Sequence, residues 1–220
     1  MKIKNIGAIC KKNKAIVLFE KHSESGDTVV QYIGDGGAAY PVAGLPPLDT
    51  ESVLTIFDVP EKDRDKYIVR TMGIPEGINF EDTDADEKPI EGAALSIVYS
   101  GKTLKPLQTR RGLVFIESRY LSPVSDVLDV LELYERITTG GTPYIVAKAG
   151  LLLQAVIMPF DVINQQFVES LQRLTEQCAV SLSLRQQEAE RAAAEEPEQY
   201  SLNVDPETSE VVGDGEGAEE

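Results

Sequence analysis

Tyr144-Ile145-Val146-Ala147-Lys148-Ala149-Gly150-Leu151-Leu152-Leu153-Gln154-Ala155-Val156-Ile157-Met158-Pro159 is the stretch on which the fold class turns. Two apolar, β-branched runs flank a single glycine, and a proline closes the second. The pattern predicts strands over 144–149 and 151–158, joined by a tight turn at Gly150.

Upstream, Ser122-Pro123 reads as a helix start: a hydroxyl cap, then a proline whose φ is already helical. Val124, Val127, Leu128, Leu131 and Tyr134 recur at helical spacing, which predicts a helix to about residue 137, stopped by Gly140-Gly141. Residues 93–99 and 113–117 read as strands. Downstream, Ile163, Phe167, Leu171, Leu174 and Cys178 step by four, four, three and four. That is one apolar stripe of a long helix beginning near Asp161, suited to packing on the domain's own sheet or on a partner helix.

The first forty residues read as an antiparallel meander. Strands are expected over 3–10, 15–20 and 28–33, with turn chemistry at Gly26 and at Gly34-Asp35-Gly36-Gly37. Asp49 is placed to cap a short helix over 50–57, and Pro60 to open another through Lys66. Residues 67–71 suit a strand. Residues 73–92 are rich in Gly, Pro, Asp and Glu and are read as an exposed loop and a boundary.

The fold class predicted is therefore α+β, with antiparallel-rich sheets. Its parts are a β-rich half over 1–72, the acidic loop over 73–92, a β-α-β-β-α half over 93–187, and a disordered acidic tail over 188–220. The tail holds Arg191 against twelve acids and so carries −11 of the net −16, leaving −5 for residues 1–187. So little hydrophobicity cannot offset the entropy of ordering.

Composition excludes several classes. Residues 1–5 hold no apolar run of the length a signal peptide uses. The most apolar window, 149–160, is about 12 residues, against the ~20 a membrane span needs. Two cysteines far apart, Cys10 and Cys178, suit a reducing compartment and fit no metal spacing. The expectation is a cytoplasmic protein without membrane contact.

Catalytic motifs are weak. The one histidine, His22, has Ser23 and Asp27 nearby, but neighbours on a loop do not make a triad. Ser100-Gly101-Lys102-Thr103 ends like a phosphate-binding loop, yet Ser96 stands where that motif needs glycine, and Pro106 opposes the helix that should follow. A hairpin turn is the better reading. Asp82, Asp84 and Asp86 alternate like the start of a calcium loop, but Glu87 and Ala93 replace its required Gly and Glu. No cofactor or metal is expected, and the protein is read as leaning away from an enzyme.

Two cationic clusters stand out. Lys2, Lys4, Lys11, Lys12, Lys14 and Lys21 face Glu20 alone in sequence, and Lys102, Lys105, Arg110, Arg111 and Arg119 face Glu117. If DNA is bound, Lys102, Lys105, Arg110 and Arg111 are the first candidates to face it, then the N-terminal lysines.

Residues 6–10, 33–41 and 48–52 (Ile-Gly-Ala-Ile-Cys, Ile-Gly-Asp-Gly-Gly-Ala-Ala-Tyr-Pro and Leu-Asp-Thr-Glu-Ser) resemble small uncharacterised proteins of bacterial prophages and other mobile elements. That resemblance implies a cytoplasmic accessory protein. A second, local one covers residues 112–160, which resemble the repeating module of DNA polymerase sliding clamps: strand, helix, then consecutive strands. The run Val156-Ile157-Met158-Pro159-Phe160 is similar to the close of that module. The likeness implies a partner-peptide groove near Met158, Pro159 and Phe160, a replication factor as protein partner, contact with DNA, and a ring of copies. A binding module or inhibitor of a host protein, acting through the acidic tail, stays open beside it, as does an enzyme.

Overall fold

The computed structural model describes residues 2–22, 29–42, 44–92 and 94–194. The chain is α+β and divides into two compact units, residues 1–162 and 163–220. The first unit begins with α1 (Ile3–Asn13), then β1 (Ala15–His22), β2 (Val29–Gly34), β3 (Ala38–Pro41), α2 (Thr50–Ile56), β4 (Ile68–Gly73) and β5 (Lys88–Ile90). It continues through β6 (Ile97–Tyr99), β7 (Lys102–Thr109), β8 (Gly112–Glu117), β9 (Leu131–Ile137), β10 (Pro143–Ala149) and β11 (Leu152–Ile157). One sheet has eight strands in the order β4-β1-β2-β3-β11-β10-β9-β5, antiparallel throughout except for parallel β1–β4. A second sheet has the order β6-β7-β8.

The 144–158 hairpin forms as read, with Gly150 at φ 61° in its turn. Asp49 caps α2 reciprocally: Ser52 N–H donates to Asp49 Oδ1 at 2.8 Å, and Asp49 N–H donates to Ser52 Oγ at 2.7 Å. Ser100-Gly101 is the turn of the β6–β7 hairpin.

Two elements differ from the expectation. Residues 3–10 lie in helix α1, not a strand. Ile6, Gly7, Ile9 and Cys10 are buried, so Ile6, Ile9 and Cys10 form one helical face. The alternation of Ile6, Ala8 and Cys10 fits a strand equally well, but Ala8 is exposed. Residues 124–137 are not a helix. A 3₁₀ stretch covers Ser118–Val124, another covers Leu128–Val130, and then the chain extends into β9. The period-two set Leu133, Glu135 against Tyr134, Arg136 governs here, because β9 pairs with the buried β10 along its whole length, from Pro143↔Ile137 to Ala149↔Leu131. Tertiary pairing overrides a helical spacing that was real in sequence.

Residues 73–92 are not a boundary between halves, since the large sheet takes strands from both sides of them. One face of that sheet is covered by α1, α2 and the small sheet around Ile16, Leu18, Ile33, Ile145, Ala155 and Ile157. Residues 74–87 form a strap over the other face. Phe80 is buried between Phe19 and Tyr32, with ring centroids at 5.7 and 4.8 Å. Tyr32 Oη donates to Phe80 O at 2.9 Å, Asn79 N–H donates to Tyr144 Oη at 2.9 Å, and Leu153 N–H donates to Asp82 Oδ1 at 2.8 Å. Arg136, with a side-chain exposure of 0%, donates to Asn79 O at 3.0 Å and to Glu81 O at 2.8 Å. Its Nε and Nη2 reach Glu87 Oε2 at 2.9 and 2.6 Å, while Lys148 Nζ holds Glu87 Oε1 at 2.6 Å.

Burial alone would raise the Glu87 carboxyl pKa, but the hydrogen bonds and charges of Lys148 and Arg136 outweigh it and hold the pKa below the usual range. A carboxyl depressed in the fold adds stability that is full above its unfolded pKa of about 4.3 and is lost as pH falls through the folded value. The expected result is a steeper loss of melting temperature from pH 7 to pH 3 in the parent chain than in Glu87→Gln, read by circular dichroism. Parallel pH profiles would sink this assignment.

The second unit contains α3 (Gln165–Ala194). Asn164 caps it, its Oδ1 accepting from Phe167 N–H at 3.0 Å. The helix starts four residues after Asp161 and absorbs residues 188–194 of the expected tail, whose Glu and Ala are good helix formers. Leu174 and Cys178 of the stripe are exposed. The rest of the expected tail, 195–220, lies outside the described residues, as do Ser23 and Asp27. Among the described residues no helix is long and apolar enough to cross a membrane.

Candidate nucleic-acid interface

The four cations first assigned to DNA do not form one surface. Lys102 opens β7 and Arg110 follows its last residue, Thr109, about 26 Å away at strand rise. Lys102 Nζ pairs with Glu117 Oε1 at 2.8 Å and lies 3.8 Å from the Phe160 ring centroid. Glu117 is buried, so Lys102 serves as its counter-ion. Lys105 lies against Gly92, where an added Cβ would stand 2.7 Å from its Cε. Arg110 binds the buried Glu135 through N–H at 2.9 Å and Nε at 3.3 Å, and its Nη2 donates to Asp86 O at 2.9 Å. Arg111 is exposed at the β7–β8 turn.

The expected partner groove is also divided. Met158 N–H donates to Gly37 O at 2.8 Å, and Met158 lines an apolar cavity of about 50 Å³ with Phe19, Ile78, Phe80 and Val156. Pro159 is half-buried. Phe160 turns to the small sheet, its N–H donating to Phe115 O at 2.6 Å.

A continuous cationic face exists instead on α1. With Ile6, Ile9 and Cys10 inward, the residues at 4, 8, 11 and 12 fall on the outward arc. Lys4, Ala8, Lys11 and Lys12 are exposed, and so is Lys14, whose left-handed φ of 50° ends the helix. α1 contains no acid. Lys11 and Lys12 in its last turn also suit the negative end of the helix dipole. Among the described residues, Lys4, Lys11, Lys12 and Lys14 form no ion pair.

The 118–124 stretch runs beside this arc and is tied to it. Lys2 N–H donates to Pro123 O at 2.6 Å, Asn5 Nδ2 donates to Ser122 O at 2.7 Å, and Lys2 Nζ donates to Ser125 Oγ at 2.8 Å. Between them lies an open groove of about 310 Å³ lined by Asn5, Ala8, Ile9, Lys12, Arg119 and Ser122. Arg119 is held in place from several sides. Its Nε is 2.8 Å from Glu117 Oε2, although that N–H is not aimed at the oxygen. Nη1 donates to Asn13 Oδ1 at 3.2 Å, and Nη2 donates to Tyr120 Oη at 3.3 Å. Tyr120 Oη in turn donates to Asp35 Oδ2 at 3.1 Å. Burial, then the Asp35 charge, raises the Tyr120 phenol. Beneath the helix, burial and Asp35 push the Cys10 thiol up to about 12, so it stays protonated and unreactive.

The groove thus offers Lys12 and Arg119 as charges, with Asn5 and Ser122 as polar neighbours, to an anion lying along α1. The spacing of Lys4, Lys11 and Lys12 and the lack of acids among residues 2–14 were the available signal. A strand over 3–10 would hold only Lys4 and leave Lys11 and Lys12 beyond its end. Compared with known proteins, the chain matches no family model, no curated protein and no solved structure.

Proposed function

We propose that this protein is a non-enzymatic interaction protein that binds the phosphate backbone of nucleic acid along α1, as a cytoplasmic accessory factor of a mobile element's DNA transactions. The observation that supports this most is the row Lys4, Lys11, Lys12 beside Arg119, which among the described residues forms no ion pair at the three lysines, in a chain of net charge −16. Cations with no paired acid among the described residues make a local positive field, and acids beyond about 10 Å are screened at ordinary ionic strength. The reading does not lean on a clamp-like helix at 124–137, which is 3₁₀ turn and strand.

Phosphate contacts of this kind carry no base information, so binding is weakly dependent on sequence. The test is fluorescence anisotropy of labelled duplex and single-stranded DNA over a salt series. Lys4→Ala/Lys11→Ala/Lys12→Ala is expected to flatten the slope of log K against log salt by about 3 and to weaken binding at least about tenfold. A parent chain that binds neither DNA, or a triple variant with the parent's slope, would remove the proposal.

A further inference from the structure

The two outer edges of the large sheet are built differently. β5 is three residues long and contains Lys88 and Pro89, a charge and a residue without an N–H, both of which discourage a further strand. β4 at the opposite edge has six residues and no proline. Ile68 is 59% exposed and Met72 45% exposed. Among the described residues no strand lies beyond β4.

The phase of that edge follows from its pairing. β4 runs parallel to β1, and Ile68 N–H donates to Lys14 O at 2.9 Å. In a parallel pair alternate residues direct both backbone groups to the same neighbour. Ile68, Arg70 and Met72 therefore bond to β1, while Val69, Thr71 and Gly73 turn their N–H and C=O groups outward. Unpaired backbone groups in a row are a template for another strand.

We infer that β4 pairs antiparallel with β4 of a second copy of this chain, in a register centred on Thr71. A two-fold axis perpendicular to a continuous sheet sets one residue opposite itself. With Thr71 on the axis, Thr71 faces Thr71, Val69 faces Gly73, and Arg70 faces Met72. The outward groups of Val69, Thr71 and Gly73 then exchange both hydrogen bonds in each pair. Thr–Thr pairs are favourable across strands, and the Arg70 stem covers Met72. Centring on Arg70 instead would put two guanidinium groups in directly opposed positions, where like charges destabilise. Charge therefore selects the register, and the edge is complementary to itself.

The test uses the full chain, with mass read by light scattering after size exclusion from micromolar to sub-millimolar concentration. The parent is expected to move towards the mass of two chains as concentration rises. Thr71→Lys places two cations on the axis and is expected to raise the dimer Kd at least about tenfold. Thr71→Val keeps the backbone bonds and the β-branched shape, so it keeps the dimer and shows that the site tolerates substitution. Met72→Glu sets a carboxylate opposite Arg70 of the other copy and is expected to tighten the dimer a few-fold. A parent that stays monomeric, a Thr71→Lys chain that dimerises like the parent, or a Met72→Glu chain that dimerises more weakly would each overturn the inference. DNA binding by a monomer would leave the α1 proposal standing and this one overturned.

Discussion

Arg136→Ala is expected to lower the melting temperature of the first unit by about 10 °C, since breaking a buried ion pair costs about 3–5 kcal/mol and a unit of this size loses about 2–4 °C per kcal/mol. The guanidinium is fully buried and serves three partners at once: the Asn79 and Glu81 carbonyls and the Glu87 carboxylate. Its removal leaves Glu81 O without that donor, Asn79 O with the long 3.5 Å contact from Tyr144 Oη, and Glu87 with Lys148 alone. A part-buried carbonyl that loses its donor adds a further desolvation cost. The strap loses the donors that fix it on either side of Phe80, so the damage spreads to the aromatic contacts with Phe19 and Tyr32. A double-mutant cycle with Glu87→Gln, read by thermal melts, separates the pair's coupling from the carbonyl contribution. If Arg136→Ala melts within a degree or two of the parent, the strap is held by something other than this residue.

Gly34→Ala is expected to cost more than about 4 kcal/mol and to abolish soluble, folded protein, the range reached when a clash has no way to relax. A Cβ at residue 34 would stand 1.7 Å from Ala38 O, 2.7 Å from Ala38 C and 3.0 Å from Ala39 Cα. All three are backbone atoms of the paired strand, so no side chain can rotate aside. The turn they belong to is closed by Asp35, whose Oδ1 accepts from Gly37 N–H at 3.0 Å and from Ala38 N–H at 3.1 Å. Opening it would also release β3, the strand that links the N-terminal meander to β11. Gly36→Ala is the matched control. Gly36 has φ +89° but open space around its missing Cβ, so its cost is backbone strain of about 1–2 kcal/mol. Soluble yield and circular dichroism melts distinguish the two. Equal behaviour of both variants would mean that the turn yields where the geometry says it is rigid.

The candidate interface was half legible. Lysines 4, 11 and 12 stand out in the sequence as part of a cluster, but their common face exists only on a helix, and the 3–10 segment satisfies two periodicities at once. Burial of Ile9 and Cys10 as neighbours decides between them, because adjacent residues cannot share one face of a strand. Lys102 and Arg110 showed the reverse failure. Their charge was plain in sequence, but the buried acids Glu117 and Glu135 that claim them lie 15 and 25 residues away.

Local chemistry by itself determined the 144–158 hairpin, the Asp49 cap, the Gly34–Gly37 turn and the presence of a long helix after residue 161, though not its first residue. Each depends on residues within a few positions of one another, where turn, cap and period rules act directly. Only the tertiary structure decided that 131–137 is a strand, that 74–87 is a strap rather than a boundary, and which cations remain without an ion pair among the described residues. Those outcomes depend on partners distant in sequence: β10 for β9, Arg136 for the strap, Glu117 and Glu135 for the cations of β7. A one-dimensional pattern records what a residue prefers, and the partner that overrides the preference is present only once the chain has folded.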